Sequence, residues 1–345
     1  MNPLILPIFL PHLGCRERCI FCNQKTMAPA VPSPSEVQAL VEGSLHQFPS
    51  DPERERQVAF YGGSFTAIPK EDQRAYLRDV QPFLSSRAID SIRVSTRPDA
   101  LDEDVLSLLN TYGVKTLEIG AQSMMDEVLI LSQRGHTAKE IVSAVSRSKR
   151  RGFEVGLHLM IGLPGDSFER FLETLDQVIE LRPDFVRIHP TLVLRGSPLE
   201  ALWRKGEYIP LTLEESVLWL KGGLLKLEKE RVSVARIGLQ PTRDLESCCL
   251  AGPYHPALHQ RVASEIFFDM ASHLCETHRI EPEPVFFCHP RDVSNVRGQR
   301  NTNINRLRGL WGVKSISIHE REDIPRGSLV LQTPTGEVLA QRKDK

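Results

Sequence analysis

The stretch Leu4–Gln24, LILPIFLPHLGCRERCIFCNQ, runs from an apolar, strand-like segment straight into a loop carrying Cys15, Cys19 and Cys22. The thiols are separated by three and then two residues, and Phe21 stands just before the last. A short loop of this spacing folds back so that several thiolates converge on one point, as an iron–sulfur cluster requires. With three thiolates instead of four, a 4Fe–4S cluster held here keeps one iron free to chelate a small molecule. Two other readings stay open: a zinc site with His12 as a further ligand, and three ordinary buried thiols.

Outward from this loop the chain repeats strand, loop, helix. Strands are expected at Leu4–Leu10, Gln57–Tyr61, Asp90–Thr96, Thr116–Gly120, Phe153–Ile161 and Phe185–Leu194. Between them, helices are expected from a capping Ser35 to Gln47, over Lys70–Leu84, from a capping Asp102 to Thr111, over Ala138–Arg151 and over Phe168–Leu181. Parallel strands need crossover helices, so the rhythm predicts an α/β fold built as a parallel barrel or open sheet. In such folds the loops after the strands form the site. The unusual segments GGSFT (62–66), STRPD (95–99), GAQS (120–123) and GLPGD (162–166) fall there, as the cysteine loop does. After Thr212 a long helix over Leu213–Arg231, the segment Val234–Leu239, a helix near Pro256–His278 and late strands from Pro284 onward read as a small α/β extension. The expected division is a core domain over 1–235 and a C-terminal domain over 236–345.

Composition bounds the partners. The 345 residues are 41% hydrophobic and 25% charged, as in ordinary globular proteins. A net charge of −1 offers no bulk attraction for nucleic acid or anionic membrane, so either would have to meet a local patch. No apolar run reaches bilayer length, and the N-terminal segment, broken by Pro3, Pro7 and Pro11, reads as a first strand and not a leader. Seven cysteines, an odd number, suggest no disulfide framework. A reducing cytoplasm is the expected compartment.

The CxxxCxFC pattern resembles the signature of the radical S-adenosylmethionine (SAM) enzymes. That resemblance implies a partial parallel (β/α)6 TIM-like barrel, a 4Fe–4S cluster on Cys15, Cys19 and Cys22, and reductive cleavage of SAM to a 5′-deoxyadenosyl radical. It also implies a one-electron donor such as flavodoxin or ferredoxin. Family members often carry Gly-Gly-Glu or Gly-Gly-Gly-Thr where this chain has Gly62, Gly63 and Ser64, so GGSFT is expected to meet the SAM amine. Glycine also suits a plain tight turn. Gln122 and Arg134 resemble the pair that meets the SAM ribose and carboxylate in coproporphyrinogen-oxidase-like and elongator-like branches. Ser95 departs from a frequent family glutamate, leaving Thr96 or Arg97 to stand in. His158 is expected either at the adenosine hydroxyls or as a satisfied core histidine.

LEIGAQS (117–123), QRGHT (133–137) and IHPTLVLRGSPLEALW (188–203) are similar to the radical SAM half of the elongator catalytic subunit over roughly residues 5–240. The resemblance implies a wobble uridine of tRNA as substrate, without the acetyl-CoA-binding acetyltransferase domain. A tRNA would need basic residues, for which Arg297, Arg300 and Arg306, interleaved with asparagines, are candidates. Tyr254 and His255 are candidates for holding a substrate near the radical. Cys248, Cys249, Cys275 and Cys288 read as buried thiols before they read as a second cluster. Two alternatives remain: a small-molecule or tetrapyrrole-like substrate, and a non-catalytic iron–sulfur RNA-associated module.

Overall fold

The computed structural model describes residues 3–15, 19–23, 30–48 and 54–342. Strand and helix alternate through β1 (Leu4–Leu10), α1 (Pro34–Gln47), β2 (Arg56–Gly62), α2 (Lys70–Ser85), β3 (Ser91–Thr96), α3 (Glu103–Thr111) and β4 (Val114–Gln122). Then come α4 (Asp126–Leu131), α5 (Ala138–Arg150), β5 (Glu154–Ile161), α6 (Phe168–Leu181), β6 (Phe185–Pro190), β7 (Val193–Leu194) and α7 (Pro198–Arg204). They are followed by α8 (Leu213–Lys229), β8 (Val234–Ile237), α9 (Arg243–Cys248), β9 (Cys249–Ala251) and α10 (Leu258–Thr277). The last elements are β10 (Val285–Cys288), α11 (Val293–Arg297), α12 (Thr302–Trp311), β11 (Ser317–Glu320), β12 (Ser328–Thr333) and β13 (Gly336–Gln341).

One compact unit comprises the chain up to Thr212 together with Val232–Tyr254; Leu213–Arg231 and the residues from His255 onward form the other. The first is built on a seven-stranded sheet in the order β1-β2-β3-β4-β5-β6-β8, with every neighbour parallel. This is the expected partial parallel barrel, a half-barrel with helices alternating between its strands. It carries a seventh strand, because Val234–Ile237 joins the sheet beside β6.

The two faces of the sheet differ in chemistry. Val58, Phe60, Ile92, Val94, Leu117, Ile119, Val155 and Leu157 are at most 1% exposed and alternate along their strands. β-branched and aromatic side chains at that spacing suit a pleated surface covered by helices. On the helices, Leu77, Leu106, Ile141 and Leu175 are fully buried in turn. Caps mark the helix starts: the Asp102 carboxylate accepts from Val105 N–H at 2.7 Å and Ser167 Oγ from Arg170 N–H at 3.2 Å.

Two local expectations are corrected. Helix α1 is capped by Ser33 and not Ser35, because Pro34 fills its first turn and Ser33 N–H donates to the Glu36 carboxylate at 2.7 Å. The strand expected over Phe185–Leu194 breaks after Pro190. Thr191 turns both N–H (3.0 Å) and Oγ (2.8 Å) onto Ile161 O, and Val193–Leu194 pairs antiparallel with β9.

In the second unit, the sheet β11-β10-β12-β13 packs with α10. Lys221 on α8 reaches Asp269 on α10 at 2.7 Å. No helix among the described residues is long and apolar enough to cross a membrane.

Two glycines make opposite predictions. A Cβ on Gly63 would lie 2.0 Å from Leu13 O, so Gly63→Ala has to move the backbone and destabilise the first unit by about 3 kcal/mol. A Cβ on Gly43, inside α1, would meet nothing within 4 Å. Gly43→Ala is therefore expected to stabilise by about 0.5–1 kcal/mol. Urea unfolding of both variants measures the contrast.

Candidate functional site

The cysteine loop leaves β1 and crosses directly over the end of β2. Ser64 N–H donates to Leu13 O at 2.8 Å. Gly14 (φ +75°) and Gly63 permit the crossing, since a Cβ on Gly14 would lie 2.2 Å from Ser64 O. Gly62, at φ +104°, supplies the turn at the strand end. The glycines of GGSFT therefore make room for the cysteine loop, a use not foreseen from the sequence.

Two short turns shape the thiols, with Cys15 N–H bonded to His12 O (3.1 Å) and Cys22 N–H to Cys19 O (3.0 Å). Between the last two thiols, Ile20 N–H donates to Ser132 O at 3.2 Å and Ile20 O accepts from Leu199 N–H at 2.8 Å. The Ile20 side chain is buried with Val193, Leu199 and Tyr208, and Phe21 packs against that cluster. Asn23 Nδ2 donates to Arg195 O at 2.6 Å. The loop is thus tied to the bend after β6 and to α7, elements far along the chain.

Two buried guanidiniums reach this loop. Arg134 donates from Nη1 to Cys19 Sγ and from Nη2 to Gly120 O, both at 2.7 Å. Arg97 donates from Nη2 to Arg134 O at 2.6 Å and is paired with Asp99 at 2.9 Å. Arg134 Nε and Arg97 Nη1 are buried without a hydrogen-bond partner. Burial, then the neighbouring Cys19, raises the Cys15 thiol pKa, and both guanidiniums oppose the rise. Among the described residues no three His, Cys, Asp or Glu side chains converge as ligands of a single metal ion.

Gln122 sits at φ 69°, where β4 ends in a bulge beside β5. A Cβ on Gly120 would lie 3.1 Å from Gln122 Nε2 and 3.2 Å from Arg134 Nη2, so these two predicted residues meet over Gly120. Thr96 is buried and its hydroxyl pairs with those of Thr66 and, at 3.4 Å, Ser64. Beside the loop lies a cavity of about 580 Å³ bordered by Gly14, Thr66, Gln73, Arg97 and Gly135.

The concave face of the sheet carries a second constellation, which the sequence reading missed apart from His158. Glu118 on β4 has a fully buried side chain. Its Oε1 accepts from Tyr61 Oη (2.9 Å, β2) and Arg93 Nη1 (2.7 Å, β3) and forms an ion pair with Arg187 Nη2 on β6 at 3.0 Å, which itself donates to Tyr61 Oη at 3.2 Å. Its Oε2 lies 2.6 Å from His158 Nε2 on β5. His158 is thus bound to a carboxylate, and its ring lies 5.4 Å from that of His189. Burial, then the neighbours His158 and Arg187, pushes His189 down to about 3, so it is neutral. At the deep end, Phe185 fills the space left by Gly156 and stacks under Arg93 at 5.0 Å. A signal existed: in SIRVST, TLEIG and FVRIHP a charged residue or histidine alternates with apolar ones. A fully covered parallel strand would read as a continuous apolar run instead.

Tyr254, in the first unit, donates to Glu246 Oε1 at 2.9 Å. His255, in the second, accepts from Ala257 N–H at 3.0 Å. Arg306 is paired with Glu265 (2.7 Å) and stacked 3.5 Å from the Phe268 ring, so its cation is already used within the second unit. Arg297 ends α11, and Arg300 takes φ 52° in the turn that follows. Cys248 is buried near Leu192 and Leu245, and Cys275 and Cys288 are also buried.

Comparison with known proteins matches residues 9–178 to the Radical SAM superfamily and residues 183–267 to the Radical_SAM C-terminal domain. Elongator complex protein 3 of Homo sapiens is 34% identical over 167 residues, covering 43% of this chain and 30% of that protein. A tRNA uridine(34) acetyltransferase of Methanocaldococcus jannaschii is 34% identical over 127 residues, covering 36% of this chain and 24% of that protein. The chain therefore spans well under half the length of either. Among solved structures, the Methanocaldococcus infernus Elp3 with an N-terminal deletion superposes with a TM-score of 0.59. It is 20% identical and covers 80% of this chain and 64% of that one, which is a likeness of fold.

The buried carboxylate can be tested directly. Burial alone would raise the Glu118 pKa, but His158, Arg187 and Arg93 overturn that and hold it below the ordinary carboxylate range. Glu118→Gln, which removes the carboxylate that Arg93 and Arg187 share, is expected to cost about 3 kcal/mol at pH 7. A depressed pKa contributes fully above the unfolded-state value of about 4.3 and is lost as the pH falls below it. Urea unfolding from pH 7 to pH 3 should show the wild-type advantage narrowing below about pH 4.

Proposed function

The chain belongs to the radical SAM superfamily, and we propose that it is an enzyme that uses a 4Fe–4S cluster to cleave SAM reductively, with a tRNA base as substrate. When bound, the cluster and SAM supply a 5′-deoxyadenosyl radical that abstracts hydrogen from the substrate. The residues present fit the pair. Three thiols on one loop leave a fourth iron position open, and the unpartnered N–H groups of Arg97 and Arg134 suit an anionic cluster or a carboxylate.

The observation that carries this reading is the position of Arg134. One guanidinium bridges the thiol of Cys19 and the carbonyl of Gly120 on the sheet, so it links cluster loop and barrel interior. In our reading Cys15, Cys19 and Cys22 hold the cluster. Phe21 shields it, and Gly62, Gly63 and Ser64 offer backbone groups to the SAM amine. Arg134 takes the SAM carboxylate, with Gln122 and Thr96 near the ribose. His158 presents its remaining nitrogen toward the adenosine while Glu118 fixes its ring. Electrons come from a one-electron donor such as flavodoxin or ferredoxin, in a reducing compartment. Support for a tRNA base is the identity shared with the relative named as a tRNA uridine(34) acetyltransferase.

Anaerobic reconstitution with iron and sulfide, then dithionite and SAM, should yield 5′-deoxyadenosine. The variant with Cys15→Ala, Cys19→Ala and Cys22→Ala should yield none. Arg134→Gln, at unchanged iron content, should weaken SAM binding about tenfold, the effect of losing a charge-assisted hydrogen bond. A fully loaded wild type that leaves SAM intact both alone and with tRNA would sink the enzymatic reading. Failure to retain tRNA at low salt, where phosphate contacts are strongest, would remove only the substrate part.

A further inference from the structure

The charges on the concave face do not balance locally. Arg93 lies near both Glu118 (2.7 Å) and Glu154 (3.8 Å), and Arg187 reaches Glu118 at 3.0 Å. Arg236, whose Cα is the register partner of Arg187 on the neighbouring strand, makes no ion pair with a carboxylate among the described residues. Its recorded partner is neutral: Nη1 donates to Gln240 Oε1 at 2.5 Å. Two further groups on this face lack partners. Arg187 Nε and His189 Nε2 are both buried without a hydrogen bond. Arg187 and His189 are two residues apart on β6 and so share a face. Burial and the charge of Arg187 lower the Arg236 pKa, and Tyr61 and Glu118 offset this only in part.

We propose that Arg187, His189 and Arg236 form a subsite for an oxyanion, carboxylate or phosphate, of the molecule on which the enzyme acts. The Arg187 Nε–H and the Arg236 guanidinium supply donors, and neutral His189 donates from Nε2 in one tautomer. The Glu118 network holds Arg187 in place, so the donors are oriented before the ligand arrives. The assignment of the oxyanion to a substrate rests on the proposed reaction; anion binding itself does not.

The test uses the full chain without cluster, titrated with inorganic phosphate or acetate at constant ionic strength and followed by melting temperature. Wild type should be stabilised saturably. Arg236→Gln should raise the half-saturating concentration about tenfold, and Arg236→Lys should recover part of it. Arg74→Gln, an exposed change on α2 with the same charge loss, should leave it unchanged. Saturation by phosphate alone supports a phosphate-bearing substrate, and saturation by acetate supports a carboxylate. No saturation, or equal effects of Arg236→Gln and Arg74→Gln, overturns the subsite. SAM binding to the reconstituted protein separates the remaining source: if Arg236→Gln weakens it equally, the oxyanion is the SAM carboxylate and the substrate assignment falls. A wild type that binds phosphate but leaves SAM intact refutes the proposed reaction and leaves the anion site standing.

Discussion

Around one carboxylate, Glu118, side chains from four other strands of the half-barrel are arranged. Its two oxygens meet donors or ring nitrogens from β2, β3, β5 and β6. An ionised carboxylate in a water-poor interior is tolerable only when its acceptor capacity is filled, and here it is filled by two guanidiniums, a phenol and an imidazole. The cost of leaving any of them unmatched constrains how the strands align. A one-residue slip of β3 or β6 would turn Arg93 or Arg187 toward the apolar, helix-covered face. The charged interior therefore specifies register at the same time as it shapes the floor of the site.

Above that floor the cysteine loop depends on a different constraint, the absence of side chains. Gly14 and Gly63 let two backbones pass within hydrogen-bond distance, and Ser64 N–H on Leu13 O closes the crossing. The far side of the loop is held by Ile20 through both its backbone bonds and its burial against Val193, Leu199 and Tyr208. Arg134 then joins the upper and lower parts, since one guanidinium serves Cys19 and Gly120. The bend after Pro190 has a role in this arrangement: by leaving the sheet, Val193 reaches the cysteine loop.

Much of the architecture was legible from short-range pattern. The alternation of strand and helix, the Asp102 cap and helix Phe168–Leu181 follow from rules that act within a few residues. Misreadings arose where two local signals competed or a distant partner decided. Ser33 and Ser35 both suit a cap, and Pro34 together with Glu36 favours the first. Phe185–Leu194 is apolar enough for one long strand, but hydrogen bonds from Thr191 to Ile161 O, thirty residues away, divide it. The partners of Arg306, Glu265 and Phe268 on α10, lie too far along the chain to be read from its own basic segment.

By itself the sequence determined the fold class and the thiol loop, because periodicity and close cysteine spacing are properties of neighbouring residues, and the resemblance of its motifs pointed to the family. Only the tertiary structure decided that Glu118, Arg187, His189 and Arg236 share one face of the sheet, since they lie on β4, β6 and β8, separated by up to 118 residues between Glu118 and Arg236. A charge in a strand carries no sign of its counter-ion; pairing depends on which strands become neighbours and in what register. The same holds for the glycines of GGSFT. Their composition announced a tight approach, and the fold alone identified what approaches, the backbone of Leu13 and Gly14.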